Sequence, residues 1–161
     1  KFRSYNSATA TFAEELGMIP LQVEAAELSQ ALATGVASAF ISSGSTGYDR
    51  KVWEHLSHYY KVNAWLPRNY VIVNSQSWDA LDDATRAGMQ KAADETGAAC
   101  AAKSEELAEF YFAELAKNGM TVEDAGPKFL AELKTIGEKM TADWLETAGA
   151  DGQAIIDAYN N

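Results

Sequence analysis

Several features that would point directly to a function are scarce in this sequence of 161 residues. One cysteine, Cys100, excludes an internal disulfide and a metal cluster built from several cysteines. Only 13 basic residues stand against 23 acidic ones, and the formal net charge of −10 argues against nucleic acid or an anionic membrane as a partner. No apolar run reaches the roughly 20 residues of a membrane-spanning helix. The remaining composition, 47% hydrophobic and 22% charged, is that of a folded globular protein.

Motifs for catalysis and cofactor binding are also missing. The small-residue segment SSGSTG at 42–47 lacks the glycine spacing and the lysine of a phosphate-binding loop, because a tyrosine follows its last glycine. We find no dinucleotide fingerprint, serine-hydrolase elbow or zinc motif. His55 and His58 are three residues apart in a predicted helix, but no third metal ligand lies at a useful spacing. We therefore predict no cofactor, no metal site and no catalytic residue, and we expect Cys100 to be a small core residue.

The segment 1–42 alternates between patterns typical of strands and of helices. Strands are predicted in KFRSY (1–5), MIPLQVE (18–24) and VASAFIS (36–42), with one helix between each successive pair. A β-α-β-α-β unit of this kind forms a parallel sheet with right-handed crossovers. The predicted fold class is therefore α/β, with this unit as its core.

Ligands of open parallel sheets bind beyond the carboxyl ends of the strands. Arg3 lies just before the end of the first strand, close to the helix that Asn6 or Ser7 caps. A guanidinium beside a helix N-terminus suits a carboxylate, although a surface arginine paired with a nearby glutamate would give the same pattern. The hydroxyl-rich residues Ser42–Thr46 follow the third strand at the same edge. They form either a polar rim for an oxygen-bearing ligand or an ordinary turn.

Helices dominate the prediction for the rest of the chain. Within a crossing segment at 43–81, an amphipathic helix is predicted in YDRKVWEHLSHYY (48–60) and a strand in NYVIVN (69–74). One long helix is predicted over 82–118, about 50 Å at 1.5 Å per residue, with C-terminal helices in 119–161. A helix longer than its own domain requires suggests a partner surface outside this chain.

Combined, these segments resemble the DctP-type solute-binding proteins of tripartite ATP-independent periplasmic (TRAP) transporters. The shared pattern is an arginine-bearing strand, a helix ending in Leu-Gly, a proline in the next strand, and a glutamate that begins a helix ending in ALATGV. The stretches STGYDRKVWE, AWLPRNYVIVN, WDALDDATR and MTADWLETAGADGQAIIDAY resemble one branch of that family. The resemblance covers essentially the whole chain.

The resemblance implies a lobe of the periplasmic-binding-protein type, a periplasmic location, and delivery of a small organic acid to TRAP membrane permease subunits. It places Arg3 where an arginine of the second lobe grips the carboxylate of the ligand. Ser42, with Ser43 beside it, stands where an asparagine often makes a second contact, and Ser38 replaces an acid often found in the preceding strand. Trp65 is the tryptophan most open to stacking on a ligand. The predicted ligand-binding residues are therefore Arg3, Ser42, Ser43 and Trp65.

Family members carry a first lobe before the point at which this chain begins. The resemblance therefore implies that the chain is the C-terminal portion of a longer protein, that the N-terminal lobe is absent, and that the helix at 82–118 runs across both lobes. Apolar surface would then be exposed on that helix, through which the fragment could self-associate.

Two further functions stay open at this point. The chain could be a small α/β enzyme acting on a carboxylate, with Arg3 as the anchor and Glu24 as the general base. It could also be an interaction module whose long helix docks a protein partner. Loss of acid binding on replacement of Arg3 would exclude the interaction module, and turnover of the bound acid would favour the enzyme.

Overall fold

The computed structural model describes residues 1–66 and 69–160 and shows a mixed α/β fold. Its elements in chain order are β1 (Phe2–Ser4), α1 (Ser7–Glu15), β2 (Pro20–Gln22), α2 (Leu28–Ala33), β3 (Ala39–Phe40), α3 (Gly44–Asp49), β4 (His58–Lys61), α4 (Ser75–Asp79), α5 (Asp83–Lys117), β5 (Thr121–Asp124) and α6 (Pro127–Asn160). Single turns of 3₁₀-helix precede α2, at Ala25–Glu27, and β4, at Val52–Glu54.

A three-stranded parallel sheet with the order β2-β1-β3 is formed by the first part of the chain. β1 is the central strand, and Arg3 pairs with Leu21 on one side and Phe40 on the other. The helices α1 and α2 connect the strands, which confirms the predicted parallel β-α-β-α-β unit. Gly17 and Gly35 follow these helices with φ angles of 69°, a left-handed conformation that glycine adopts without steric cost.

Alternation of side chains along β1 divides the core into two clusters, one on each face of the sheet. Phe2 points to the face covered by α1 and α6, where it meets Phe12, Ala13 and Leu133. Arg3 and its neighbour Phe40 belong to the opposite face, because paired residues of adjacent strands share a side. The buried members of the second cluster come from α2, α5 and the segments beside them: Leu28, Ala31, Leu32, Ala37, Val52, Leu115 and Met120.

The helix predicted for 48–60 is wrong. α3 ends at Asp49, Lys51 has a left-handed backbone with φ of 49°, and the last part of the segment is the strand β4. β4 pairs in parallel with β5, from His58 opposite Thr121 onwards, so a long-range partner decides its conformation. The strand β5 had no counterpart in the sequence analysis.

Two further expectations fail beyond β4. Residues 69–74 were predicted to be a strand within 43–81, but they form no strand in the structure, and Val71 is fully exposed. Their β-branched side chains favour an extended chain, yet among the described residues no strand pairs with them. Cys100 was predicted to lie in the core, whereas its thiol is exposed on α5.

The long helix is present as α5, with bounds one residue inside the predicted 82–118. Asp82 caps it by accepting a hydrogen bond from the backbone N–H of Thr85 at 2.8 Å. Leu115 is the buried residue of this helix, and most of the preceding turns are exposed to solvent. α6 contains a break at Gly149, with φ 60° and ψ −143°, so its two helical parts correspond to the predicted C-terminal helices.

Close approach of α3 to α5 depends on two glycines. A Cβ atom at Gly44 would lie 3.1 Å from Cβ of Tyr111 and 3.4 Å from Cε1 of Phe112. A Cβ atom at Gly47 would lie 3.4 Å from Leu115 and from Val52. The distance at Gly44 is shorter than an ordinary van der Waals contact, whereas those at Gly47 are ordinary, so Gly44 is the position with the least room for a side chain.

We expect Gly44→Val to lower the free energy of unfolding by about 1–3 kcal/mol, because the added methyl groups would force α3 away from α5. Gly88→Ala is the matched control, since a Cβ atom at Gly88 meets nothing within 4 Å. Within a helix this change should stabilise the protein by about 0.5–1 kcal/mol. Urea denaturation followed by circular dichroism would measure both, and equal effects of the two substitutions would contradict the packing argument.

Candidate functional site

Arg3 is a buried cation in the middle strand of the sheet. Its side chain is held along one edge, because the Nε–H group donates a hydrogen bond of 2.8 Å to the carbonyl of Val23 in the segment after β2. The guanidinium carbon also lies 5.2 Å from the ring centroid of Tyr5. Only 3% of the residue is exposed to solvent. The alternative of an ordinary surface arginine is therefore wrong.

The outer edge of this guanidinium is free. Neither terminal amino group of Arg3 makes a hydrogen bond within the described part of the chain, and no described carboxylate lies within 4.0 Å of them. Buried side-chain polar atoms without a partner are absent from the described residues. The two amino groups must therefore reach solvent through an opening. A buried arginine presenting two parallel N–H donors to an opening can bind a carboxylate in a bidentate manner.

Burial lowers the pKa of Arg3, and the carboxylate of Glu24 and then the Tyr5 side chain oppose that shift. Arginine still carries its charge at neutral pH, because its ordinary pKa lies far above neutrality. Moving a charge away from water without an ion-pair partner costs free energy. A ligand carboxylate would supply the missing partner, so the site favours an anion.

The N-terminus of α1 lies at the same edge of the sheet. Asn6 caps the helix through its Oδ1 atom, which accepts a hydrogen bond from the N–H of Thr9 at 2.8 Å, and the Thr9 hydroxyl accepts one from the N–H of Asn6 at 3.2 Å. This reciprocal capping fixes the start of the helix directly after β1. The positive end of the helix dipole therefore adds to the positive charge of Arg3 at this edge.

The hydroxyl-rich segment after β3 is not a simple turn, because Gly44–Asp49 form the helix α3. Ser43 is the N-cap of α3, and its Oγ accepts a hydrogen bond from the N–H of Thr46 at 3.3 Å while lying 2.7 Å from Oγ of Ser45. Gly44 and Gly47 of this segment lie where α3 packs against α5. Ser42 follows Phe40 by two residues and is half-buried, and its hydroxyl makes no hydrogen bond within the described residues. Ligand contacts for Ser42 and Ser43 stay predictions.

Trp65 lies in the segment after β4 and is half-buried. It lines a groove between α1 and α6, together with Ser7, Phe12, Met140 and Trp144. That groove includes neither Arg3 nor the serines after β3 among its lining residues. The structure brings Arg3 and the end of β3 to one edge of the sheet, and a ligand contact for Trp65 stays a prediction.

Two residues beside Arg3 were not singled out in the sequence. Tyr5 is two positions along from Arg3, so the alternation of a strand places both side chains on the same face. That spacing was a usable signal for Tyr5. Val23 contributes through its backbone carbonyl, and no pattern of side chains identifies such a contact.

Comparison with known proteins gives the family. Residues 1–147 match the family described as bacterial extracellular solute-binding protein, family 7, also called DctP. The chain belongs to this family. A comparison with curated proteins finds no match.

Three solved structures resemble this chain along 99% of its length, and the chain spans 53% of each of them. One is a TRAP solute-binding protein from a marine metagenome, specific for pyroglutamate, with 78% identity and a TM-score of 0.93. The others are DctP6 and DctP7 from Bordetella pertussis, described as extracytoplasmic solute receptors binding pyroglutamic acid. Their identities are 44% and 34%, with TM-scores of 0.95 and 0.94. The chain therefore spans about half the length of these relatives.

These findings confirm several predictions. The fold is that of the periplasmic-binding-protein-like TRAP receptors, and the relatives are solute receptors and not enzymes. The enzyme alternative has no support from them. Extracellular and extracytoplasmic relatives confirm the predicted location outside the cytoplasm. In the part of the chain that the structure describes, no helix is both long and apolar enough to cross a membrane.

Proposed function

We propose that this chain forms one lobe of an extracytoplasmic receptor that binds a small carboxylate and delivers it to the membrane subunits of a TRAP transporter. The observation that carries the proposal is the state of Arg3. It is buried, lacks an acidic partner among the described residues, and presents two free amino groups to solvent. A ligand carboxylate would provide the charge and the hydrogen-bond acceptors that the protein does not.

We further propose pyroglutamate as the ligand to be tested first. Relatives at 78%, 44% and 34% identity are described as pyroglutamate-binding proteins, and they align with almost the whole of this chain. Pyroglutamate has a single carboxylate, which suits the free edge of Arg3, and a neutral lactam ring with one donor and one acceptor. The half-buried hydroxyl of Ser42 is a candidate partner for the lactam group, and Ser43 a weaker one because it already caps α3.

The test is a thermal-shift titration of the full-length protein with L-pyroglutamate. Its carboxamide derivative serves as the matched control, because it keeps the ring and removes the carboxylate. Pyroglutamate should raise the melting temperature in a dose-dependent way, corresponding to about 2.7 kcal/mol of added stability at a ligand concentration 100 times Kd. The carboxamide should have no effect. A shift from neither pyroglutamate nor any other small acid would refute the proposal.

Self-association of the chain also stays a prediction. The prediction places the apolar surface on the long helix α5, where Met89 and Phe110 are 46% and 44% exposed. Contiguous exposed apolar surface is a feature of interaction sites. Sedimentation velocity over a range of protein concentrations would show whether a dimer forms.

A further inference from the structure

The guanidinium of Arg3 is restrained at two places by its own surroundings. Arg3 and Tyr5 lie on the same face of the chain, and Tyr5 comes directly after the last residue of β1. The ring of Tyr5 is therefore stacked next to Arg3 on the side toward the carboxyl edge of the sheet, 5.2 Å from the guanidinium carbon. The carbonyl of Val23 holds the inner edge through Nε. The remaining edge, with the two terminal amino groups, is left for a ligand.

An arginine side chain has many rotamers, and restricting it to one of them on binding costs conformational entropy. A site that holds the guanidinium in its binding orientation beforehand avoids much of that cost. The hydrogen bond from Nε–H to the Val23 carbonyl fixes one edge of the guanidinium but still lets the guanidinium plane rotate about that hydrogen bond. The ring of Tyr5 on one face restricts this motion, and its negative face attracts the cation. Both contacts are made by the protein's own residues.

We propose that Tyr5 is a positioning residue for carboxylate binding, and that its aromatic ring holds the guanidinium of Arg3 with the terminal amino groups facing the opening. This inference rests on the proposed function, because it assumes that Arg3 binds a carboxylate. It assigns the role to the ring and not to the phenolic hydroxyl. The hydroxyl makes no hydrogen bond within the described residues. Tyr5 is half-buried, which leaves part of its ring available to contact the ligand as well.

Two substitutions at this position separate the ring from the other properties of the side chain. Tyr5→Phe keeps the ring and removes the hydroxyl, whereas Tyr5→Leu keeps apolar bulk and removes the ring. Isothermal titration of the full-length protein with pyroglutamate should give a Kd within twofold of the wild type for Tyr5→Phe. For Tyr5→Leu, Kd should rise by about 3- to 30-fold, the range that corresponds to a lost cation–π contact. Equal binding by wild type and Tyr5→Leu would overturn the proposal, as would equal losses in both variants.

A second measurement needs no ligand and separates failure of this inference from failure of the proposed function. The Arg3 Nε–H group should give a distinct signal in NMR spectra of the ligand-free protein, shifted by the ring and protected from exchange by the Val23 carbonyl. Tyr5→Phe should preserve that protection, and Tyr5→Leu should lose at least part of it. Unchanged protection in Tyr5→Leu would overturn the positioning role even if pyroglutamate binds. Failure of the wild type to bind any small acid would instead refute the receptor function, whatever the NMR signal shows.

Discussion

Replacing Arg3 by methionine should abolish carboxylate binding while leaving the ligand-free protein at least as stable as the wild type. Methionine has a similar length and no charge, so it fills the same space beneath Tyr5. It supplies neither the charge nor the two parallel donors that a carboxylate needs. Loss of a hydrogen-bonded charge pair within a binding site typically costs about 2–5 kcal/mol, so we expect affinity for pyroglutamate to fall by roughly 30- to 4,000-fold.

We expect Arg3→Met not to lower the stability of the protein, because Arg3 has no ion-pair partner among the described residues. Removing one member of a buried ion pair destabilises a protein, because the other charge is left uncompensated. No described carboxylate lies within 4.0 Å of Arg3, so Arg3→Met leaves no such charge behind. It removes a cation that is only 3% exposed, at the loss of one hydrogen bond to Val23 and of the contact with the Tyr5 ring. A residue kept for binding and not for stability should show this combination.

Calorimetric titration of the full-length protein would measure the affinity for pyroglutamate, and thermal denaturation would measure the stability without ligand. Arg50→Met is the matched control, because Arg50 is an exposed arginine at the end of α3. Its replacement should change neither Kd nor the melting temperature appreciably. Binding by Arg3→Met within about threefold of the wild type would contradict the assignment of Arg3. A large fall in melting temperature without ligand would show that Arg3 is mainly structural.

The parallel sheet was predictable because its signals are local. Each of the first three strands has its own run of strand-forming residues, and each helix between them ends at a glycine that takes a left-handed conformation. The connection rules for parallel strands then determine where the carboxyl ends meet. The position of Arg3 near the carboxyl ends of the strands, one residue before the end of β1, could therefore be predicted from sequence alone.

The second sheet was not predictable in this way. The segment 48–60 has apolar residues at helical spacing, but its last residues pair with β5, which lies about sixty positions further along the chain. A hydrogen-bonding partner at that distance outweighs a local periodicity. Residues 69–74 show the reverse case, since strand-forming side chains alone do not make a strand where no described neighbour pairs with them.

The site itself was only partly predictable. The residue types of SSGSTG indicated a polar rim, but the same small side chains also allow α3 to approach α5, and sequence cannot separate these roles. Contacts of Arg3 with the Val23 carbonyl depend on tertiary geometry. Trp65 lines a groove between α1 and α6, and its stacking on a ligand stays a prediction, because a position between two predicted elements does not show where the side chain points.

The largest expected loss of stability is at Leu115. This side chain is fully buried on α5 and belongs to the cluster that includes Leu28 and Val52. It also packs beside Gly47 of α3, where an added Cβ atom would lie 3.4 Å from it. Leu115→Ala removes apolar contacts and leaves a cavity that neighbouring helices cannot fully close. We expect it to lower the free energy of unfolding by about 2–5 kcal/mol. Helix propensity does not account for such a loss, because alanine is the better helix former.

Met89→Ala is the matched control on the same helix, since 46% of Met89 is exposed. Its effect should stay within about 0.5 kcal/mol, because little apolar surface is uncovered and no cavity forms. Urea denaturation of both variants, followed by circular dichroism and by tryptophan fluorescence, would compare them. A loss below about 1 kcal/mol for Leu115→Ala would mean that the core beneath α3 adapts to the cavity. The expected contrast would show that α5 is anchored by its last turns, where Leu115 packs in the same cluster as Leu28 and Val52.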